Sequence, residues 1–308
     1  MIDFRYHVVS LAALFLALAG GIALGAGPLQ GDVQTQLAAA TGDDAASDAS
    51  AELDEAERLA EFQSAYGAGT ATPVLDGRLD QTSVAVIVLP GADAAVVRAL
   101  RQDLTTADAN VVSTVTLAPN LVDPAKRQLA EGLAEQVLRN AEDNAATDGA
   151  TGYELVGGAL GRAFLTGSTS ASAQDSTAES TQAAFEEASL VSVDGVVLGR
   201  AQLALVVSGD PRDEAPDGET EVVAGLLAGM ESAAGGAVVA GTLGSSTDGV
   251  VALVRDSDLA ADVSTVDPVE TTTGRIVTVL ALAEQAAGRA GEYGVDAADG
   301  AVPDLALD

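Results

Sequence analysis

The sequence predicts an α/β protein. It reads as an N-terminal single transmembrane helix and helical stalk, followed by a doubly wound, mostly parallel (flavodoxin- or Rossmann-like) sheet domain with a helical insert. Three observations carry that prediction. Val8 to Gly27 is an uncharged apolar run, long enough at ~1.5 Å per residue to cross roughly 30 Å of hydrocarbon. Short β-branched runs recur after residue 80, each followed by a stretch with apolar residues at helical spacing, the alternation that builds a parallel sheet. Between the second and third of these runs lie only helical patterns and one Ser/Thr-rich loop, which marks the insert.

The chain divides into a cytoplasmic tail (1–7), a membrane segment (8–28), a helical or coiled-coil stalk (29–72), an extracytoplasmic α/β domain (73–295) and a disordered tail (296–308). Arg5 precedes the apolar run, whereas Gly31 to Glu61 is acidic with Arg58 its one basic residue. The positive-inside rule then puts the N-terminus in the cytoplasm and the body outside, in a single-pass arrangement in the cell membrane or envelope. Ala17, Gly21 and Gly25 recur every four residues; such a small-residue row lets two helix backbones approach in lipid and forms a dimer seam, unless it merely reflects how common Gly and Ala are here. A cleaved signal peptide is the rival reading, because Ala17-Leu18-Ala19 offers a cleavage site. The apolar run, however, continues through Leu24 and Ala26, beyond the ~7–15 residues of a signal core.

In the stalk, Leu29, Val33 and Leu37 continue one helical face, and Leu59, Phe62 and Tyr66 form another. These six are the candidates for a partner helix. The acidic stretch Thr41–Ser50 between them has no apolar seam, so either a coiled coil interrupted in the middle or a flexible acidic stalk fits; Gly67 to Pro73 then ends it.

The body opens on Ser83–Leu89, a β-branched run suited to a strand buried on both faces. Asp93–Asp103 carries Val96, Val97, Leu100 and Leu104 at helical spacing, and Asn110–Leu117 is the next strand, parallel to the first. Asp123-Pro124 starts a helix with Leu129, Leu133, Val137 and Leu138 on its face. A second helix spans Tyr153–Leu165, Thr166–Ala178 reads as an exposed loop, and Phe185–Leu190 returns to packed structure. Three further strands follow at Ala201–Val207, Ala237–Leu243 and Asp262–Val266, with helices at Glu219–Ala233, Thr247–Asp256 and Gly274–Arg289. Five strands with this alternation fit a flavodoxin-like order.

Composition excludes several functions. The chain has 46 acidic and 14 basic residues and a net charge of −32; such a field repels nucleic acid, so no nucleic-acid partner is expected. There is no Cys and a single His, His7, before the apolar run, which removes thiol nucleophiles, zinc ribbons and Ser-His-Asp triads from the body. No phosphate-binding glycine fingerprint follows a strand. The body is therefore expected not to be an enzyme and to hold no cofactor.

Two stretches, FRYHVVSLAALFLALAGGIALGAGPL at the entry and VSTVDPVETTTGRIVTVLALAEQAAGRAGEYG over Val263–Gly294, resemble the mycobacterial copper transport protein B (MctB) family, as does the unit from Gly77 to Pro124. The resemblance implies a single-pass actinobacterial envelope protein linked to copper efflux or homeostasis. It also implies similarity to a related cell-separation factor, and hence the alternative of a non-enzymatic anchored scaffold with an envelope or cell-division partner, itself a homodimer.

Copper enters by that resemblance alone, and the residues offer it little. Imidazole and soft sulfur are its natural ligands, and the chain has only His7, Met1 and Met230, the last beside Leu226 and Leu227 in a helix. Asp210, Asp213, Glu214 and Asp217 are the weak carboxylate candidates for copper(II), against the plainer reading of a solvated acidic turn. The crevice of an open α/β sheet lies beyond the carboxyl ends of its strands. Here those ends carry Pro90-Gly91, Ser208-Gly209-Asp210 and Gly241–Ser246, the last either an anion cradle or a plain strand-to-helix turn.

Overall fold

The computed structural model describes residues 31–139, 149–169, 171–213 and 215–304. The run Val8–Gly27, with Ala17, Gly21 and Gly25, and Leu29 at the start of the stalk lie outside the described residues, as does Glu214. Among the described residues no helix is long and apolar enough to cross a membrane.

The chain divides between Phe62 and Gln63 into two compact units. Helix α1, Gly31–Leu75, contains that boundary. In the first unit Leu53, Leu59 and Phe62 stand exposed, Phe62 at 66 %. Thr41–Ser50 is continuous helix within α1. That stretch holds three alanines, and Ala is the strongest helix former.

The expected stop at Gly67–Pro73 is also corrected, because α1 continues through Pro73 to Leu75. Pro73 lies in the last turn, where its missing N–H forfeits only the bond to Gly69. Packing within the second unit holds this turn: Gly67 sits against Thr272, Ser64 Oγ is 3.1 Å from Thr272 Oγ1, and Leu75 is fully buried.

The second unit is built on a seven-stranded sheet of order β3-β2-β1-β4-β5-β6-β7. Its strands are β1 (Ser83–Val88), β2 (Asn110–Leu117), β3 (Val191–Val193), β4 (Leu203–Val207), β5 (Gly236–Ala240), β6 (Val263–Val266) and β7 (Glu292–Tyr293). All neighbours are parallel except β3, which runs antiparallel to β2. The five expected strands thus take the flavodoxin-like order, and the expected count of five is corrected to seven. The two additions are edge strands of three and two residues, too short to show a period-2 pattern.

Strand geometry alternates side chains between two cores. Ala85 and Ile87 of β1 face one core, formed with α4 (Arg127–Leu138), α5 (Gly152–Phe164), α6 (Ser176–Glu187) and α7 (Glu219–Glu231). Val84, Val86 and Val88 face the other, formed with α2 (Ala94–Thr106) and α10 (Thr272–Ala286). Short helices fill the remaining connections: α3 (Pro119–Val122), α8 (Leu243–Asp248) and α9 (Val250–Arg255). The expected single helix at Thr247–Asp256 is therefore two. They break at Gly249, whose extended backbone sits so close to Ser245 that a β-carbon there would lie 2.8 Å from Ser245 Cα.

Two other expectations change. Helix α4 buries Leu138 of the expected face together with Ala130 and Ala134, packs Leu133 and Val137 against the same core, and leaves Leu129 52 % exposed. The loop expected over Thr166–Ala178 is shortened, because Asp175 Oδ1 accepts from Ala178 N at 2.9 Å and starts α6 at Ser176. The tail expected to be disordered from Asp296 instead forms turns as far as Asp304. Glu292 N donates to Asp299 Oδ2 at 2.9 Å, Gly294 N donates to Gly300 O at 3.0 Å, and Pro303 is buried.

Helices α5 and α7 cross on glycine. A β-carbon at Gly157 would run into the Leu226 carbonyl, and one at Gly229 into the Glu154 carbonyl and Gly158 N. The close packing of this pair is what places the first turn of α7 beside the ends of β1 and β4.

Candidate functional site

Chain direction reverses between β1 and β4. From β1 the chain proceeds to β2 on one side, while β4 leads to β5 on the other. The loops leaving these two strands diverge, and at such a switch point an open α/β sheet has its crevice. Gly91, at φ +93°, turns the first loop. Gly209 of the second passes so close that a β-carbon would lie 2.6 Å from Gly91 C. Beyond this contact lies a cleft of about 280 Å³ walled by Leu89, Pro90, Val223 and Val250.

Its charged groups are Asp210, Arg212, Glu219 and Asp248. Arg212 Nη2 donates to Glu219 Oε2 at 2.5 Å. The Arg212 stem lies against Gly91, where a β-carbon would sit 3.2 Å from Arg212 Cδ, and Arg212 Nε is buried without a hydrogen-bond partner among the described residues. Glu219 opens α7 directly after Gly218, and no side chain caps that helix. Asp248 is exposed and makes no ion pair among the described residues.

Behind the cleft the strand ends are locked together. Ser208 Oγ is 2.9 Å from the buried Ser245 Oγ, which also accepts from Val251 N at 3.2 Å. Thr242 Oγ1 accepts from Ser245 N at 3.2 Å and donates to Asp210 Oδ1 at 2.6 Å. Leu243 N donates to Glu270 Oε1 at 3.2 Å. Of the two readings of Gly241–Ser246, the strand-to-helix turn holds. The chain's own carboxylates and hydroxyls already take the groups that an anion would use.

The acidic loop does not assemble as a metal site among the described residues. Asp210 is tied to Thr242, Asp213 and Asp217 remain on the loop, and among the described residues no three His, Cys, Asp or Glu come together as a metal ion would require. Met230 is 2 % exposed within the core beside Leu226 and Leu227, so its sulfur packs rather than faces solvent. The described donors do not form a copper site. Of the stalk candidates, Val33, Leu37, Leu59 and Phe62 lie on α1 in the first unit, and Tyr66, exposed, lies on α1 in the second.

The C-terminal stretch Val263–Gly294 forms a polar scaffold instead. Arg255, at the end of α9, donates to Thr265 Oγ1 at 2.9 Å, to Asp267 Oδ1 at 2.7 Å and to the Tyr293 carbonyl at 2.9 Å. Gln285 Nε2 donates to Ser264 Oγ at 2.9 Å and to the Asp262 carbonyl at 3.0 Å. The Tyr293 hydroxyl donates to the Glu284 carboxylate, and burial first, then this bond to a carboxylate, pushes its pKa well up.

Comparison with known proteins fits this architecture to a family. The family model described as "Copper transport outer membrane protein, MctB" matches residues 1–303. The chain belongs to the MctB family. It is similar to the copper transporter MctB of Mycobacterium tuberculosis (strain ATCC 25618 / H37Rv), at 28 % identity over 303 residues and 96 % of each chain. It is also similar to the copper transporter MctB of Mycobacterium leprae (strain TN), at 30 % identity over 317 residues and 96 % of each chain. The Val263–Gly294 stretch that carried the resemblance in sequence is therefore the scaffold around Arg255 and Gln285, and the cleft lies elsewhere.

Arg212, Glu219 and Asp248 escaped the sequence reading as a group. The available signal was the Pro-Gly and Ser-Gly-Asp at the ends of β1 and β4, which marks the crevice but not the charges that line it.

Proposed function

We propose that this MctB-family chain serves copper transport in the cell envelope as an anchored, non-enzymatic module that acts through a partner, with copper as cargo of the pathway rather than a ligand of its body. The observation that supports this reading is how the donors are used. The Asp210 carboxylate is held by the Thr242 hydroxyl, and the Met230 thioether is packed in the core. Val8–Gly27 is the anchor, with the N-terminus cytoplasmic, and the Ala17, Gly21 and Gly25 row pairs two copies.

The test is equilibrium dialysis of copper against the full chain in detergent, with His7→Ala and an Asp210→Asn/Asp213→Asn/Asp217→Asn variant alongside. No saturable binding is expected. Stoichiometric binding that survives His7→Ala and is lost in the triple variant would replace this reading with direct chelation by the loop.

A second reading, a scaffold in cell separation, is favoured by the exposed Leu53, Leu59 and Phe62 of α1. Capture of an envelope or division protein that disappears on deletion of Gln30–Tyr66 supports it. Capture unchanged by that deletion removes the stalk from the account.

A further inference from the structure

We propose that the cleft between the ends of β1 and β4 binds a small organic monocation, an alkylammonium or alkylguanidinium with a short apolar stem. The assignment stands apart from the copper reading.

Charge sets the sign of the ligand. Three carboxylates, Asp210, Glu219 and Asp248, line the cleft against one guanidinium, Arg212, which leaves about two negative charges. Glu219 neutralises Arg212 at 2.5 Å. Asp210 takes a hydroxyl hydrogen bond from Thr242, a neutral partner, and Asp248 has no ion-pair partner among the described residues. A cleft lined by one sign of charge with low-dielectric walls focuses the field on its contents. The net charge of −32 on the whole chain adds to the same attraction.

An anion is disfavoured at the same place. The first turn of α7, an uncapped helix end on the cleft, already carries Glu219 and Glu221, which occupy the positive end of the helix dipole; at the start of α9 the Val251 N–H is already taken by Ser245 Oγ.

Geometry separates an organic cation from a metal ion. A bare divalent ion takes six or more oxygen ligands or a tight set of donors, and no three acidic groups converge among the described residues. An ammonium or guanidinium needs only one or two carboxylate acceptors, with the rest of the molecule against apolar surface. Leu89, Pro90, Val223 and Val250 supply that surface. The volume of about 280 Å³ lies at the lower edge of the ~300–1,000 Å³ range of ligand pockets, which suits a four- or five-carbon stem. The same chemistry is offered by a free amine and by an arginine side chain on a peptide.

The experiment titrates the full chain in detergent, by calorimetry at physiological salt, with three probes. They are agmatine, acetyl-Gly-Arg-Gly-amide and uncharged butylurea. Saturable binding of agmatine or of the peptide is expected, and whichever binds more tightly identifies the source of the cation. Asp248→Asn weakens binding about tenfold, the scale of one charge-assisted hydrogen bond. Thr220→Phe, on the cleft wall, abolishes it, while Asp258→Asn, away from the cleft, leaves it unchanged. Asp248 is exposed, so its variant decides the matter even if Thr220→Phe fails to fold. The proposal is overturned by absence of saturable binding of both cations, by equal binding of butylurea, or by equal weakening in Asp248→Asn and Asp258→Asn, which would be diffuse surface charge.

Discussion

Asp267 Oδ1 accepts a 2.7 Å hydrogen bond from Arg255 Nη2, and none of the Asp267 side chain is exposed. The other carboxylate oxygen accepts from Val295 N at 3.3 Å. A buried carboxylate is tolerated only when it is paired and hydrogen-bonded, so one guanidinium joins α9, β6 and β7.

Arg255→Met is expected to destabilise the protein by about 3–5 kcal/mol, because it strands the Asp267 charge in the interior. Removing both charges with Arg255→Met/Asp267→Asn should recover part of that loss. Denaturant unfolding of the two single variants and the double one gives the coupling directly. Strictly additive losses would show that the pair does not act as a unit.

Gly157 and Gly229 make the opposite kind of contact, one that allows no added atom. Either substitution by Ala is expected to cost about 1–3 kcal/mol by overpacking the α5–α7 crossing. Gly132 on α4 has open space where its β-carbon would go, so Gly132→Ala should stabilise by roughly 0.5–1 kcal/mol through helix propensity. Thermal unfolding of the three variants checks both signs at once.

Tyr293 links the fold to alkaline pH. Its folded pKa is raised by burial and by Glu284. Its contribution is therefore fully present below the unfolded tyrosine value of about 10 and is lost as pH rises above it. Tyr293→Phe should cost about 1–3 kcal/mol at neutral pH, by leaving the Glu284 carboxylate without its hydroxyl. The variant should also show a shallower loss of stability above about pH 10 than the unsubstituted chain. Urea midpoints measured from pH 7 to 11 test this, and parallel curves would refute the assignment.

Thr242 caps α8 and holds Asp210 at once. Thr242→Val keeps the shape and removes both bonds, with an expected cost of about 0.5–2 kcal/mol. Amide hydrogen exchange should rise at Ser245, whose N–H loses its acceptor, and not at Val84 in the centre of the sheet.

Much of this fold is legible in the order of residues. Ser83–Val88 and Asn110–Leu117 are β-branched runs whose bounds in the structure match the sequence pattern closely. The Asp123 cap before Pro124 is present. Of the face read for α4, Leu133, Val137 and Leu138 pack and Leu129 does not; Leu129 stands out in the sequence because leucine outweighs alanine in any hydrophobic pattern. Yet Ala130 and Ala134 are what let that helix approach the core. Pro73 was misjudged because its propensity is local, whereas the packing of Gly67, Ser64 and Leu75 that overrides it involves Thr272, some two hundred residues away. The cleft was half legible: its two glycine turns were visible at the strand ends, but Arg212, Glu219 and Asp248 are brought together only by where α7 and α8 land.

The sequence by itself determined the five-strand alternation, the family, the charge and the lack of thiol and imidazole chemistry in the body. These depend on composition and on patterns within ten or twenty neighbouring residues, which survive without knowledge of the partner surface. Tertiary structure alone decided that β3 and β7 close the two edges and that Asp210 serves Thr242. It also decided that the family-marking stretch Val263–Gly294 is a scaffold and that an apolar-walled cleft sits at the switch point. Each of those outcomes is a contact between distant segments, and its energy comes from the surface that meets it across the fold.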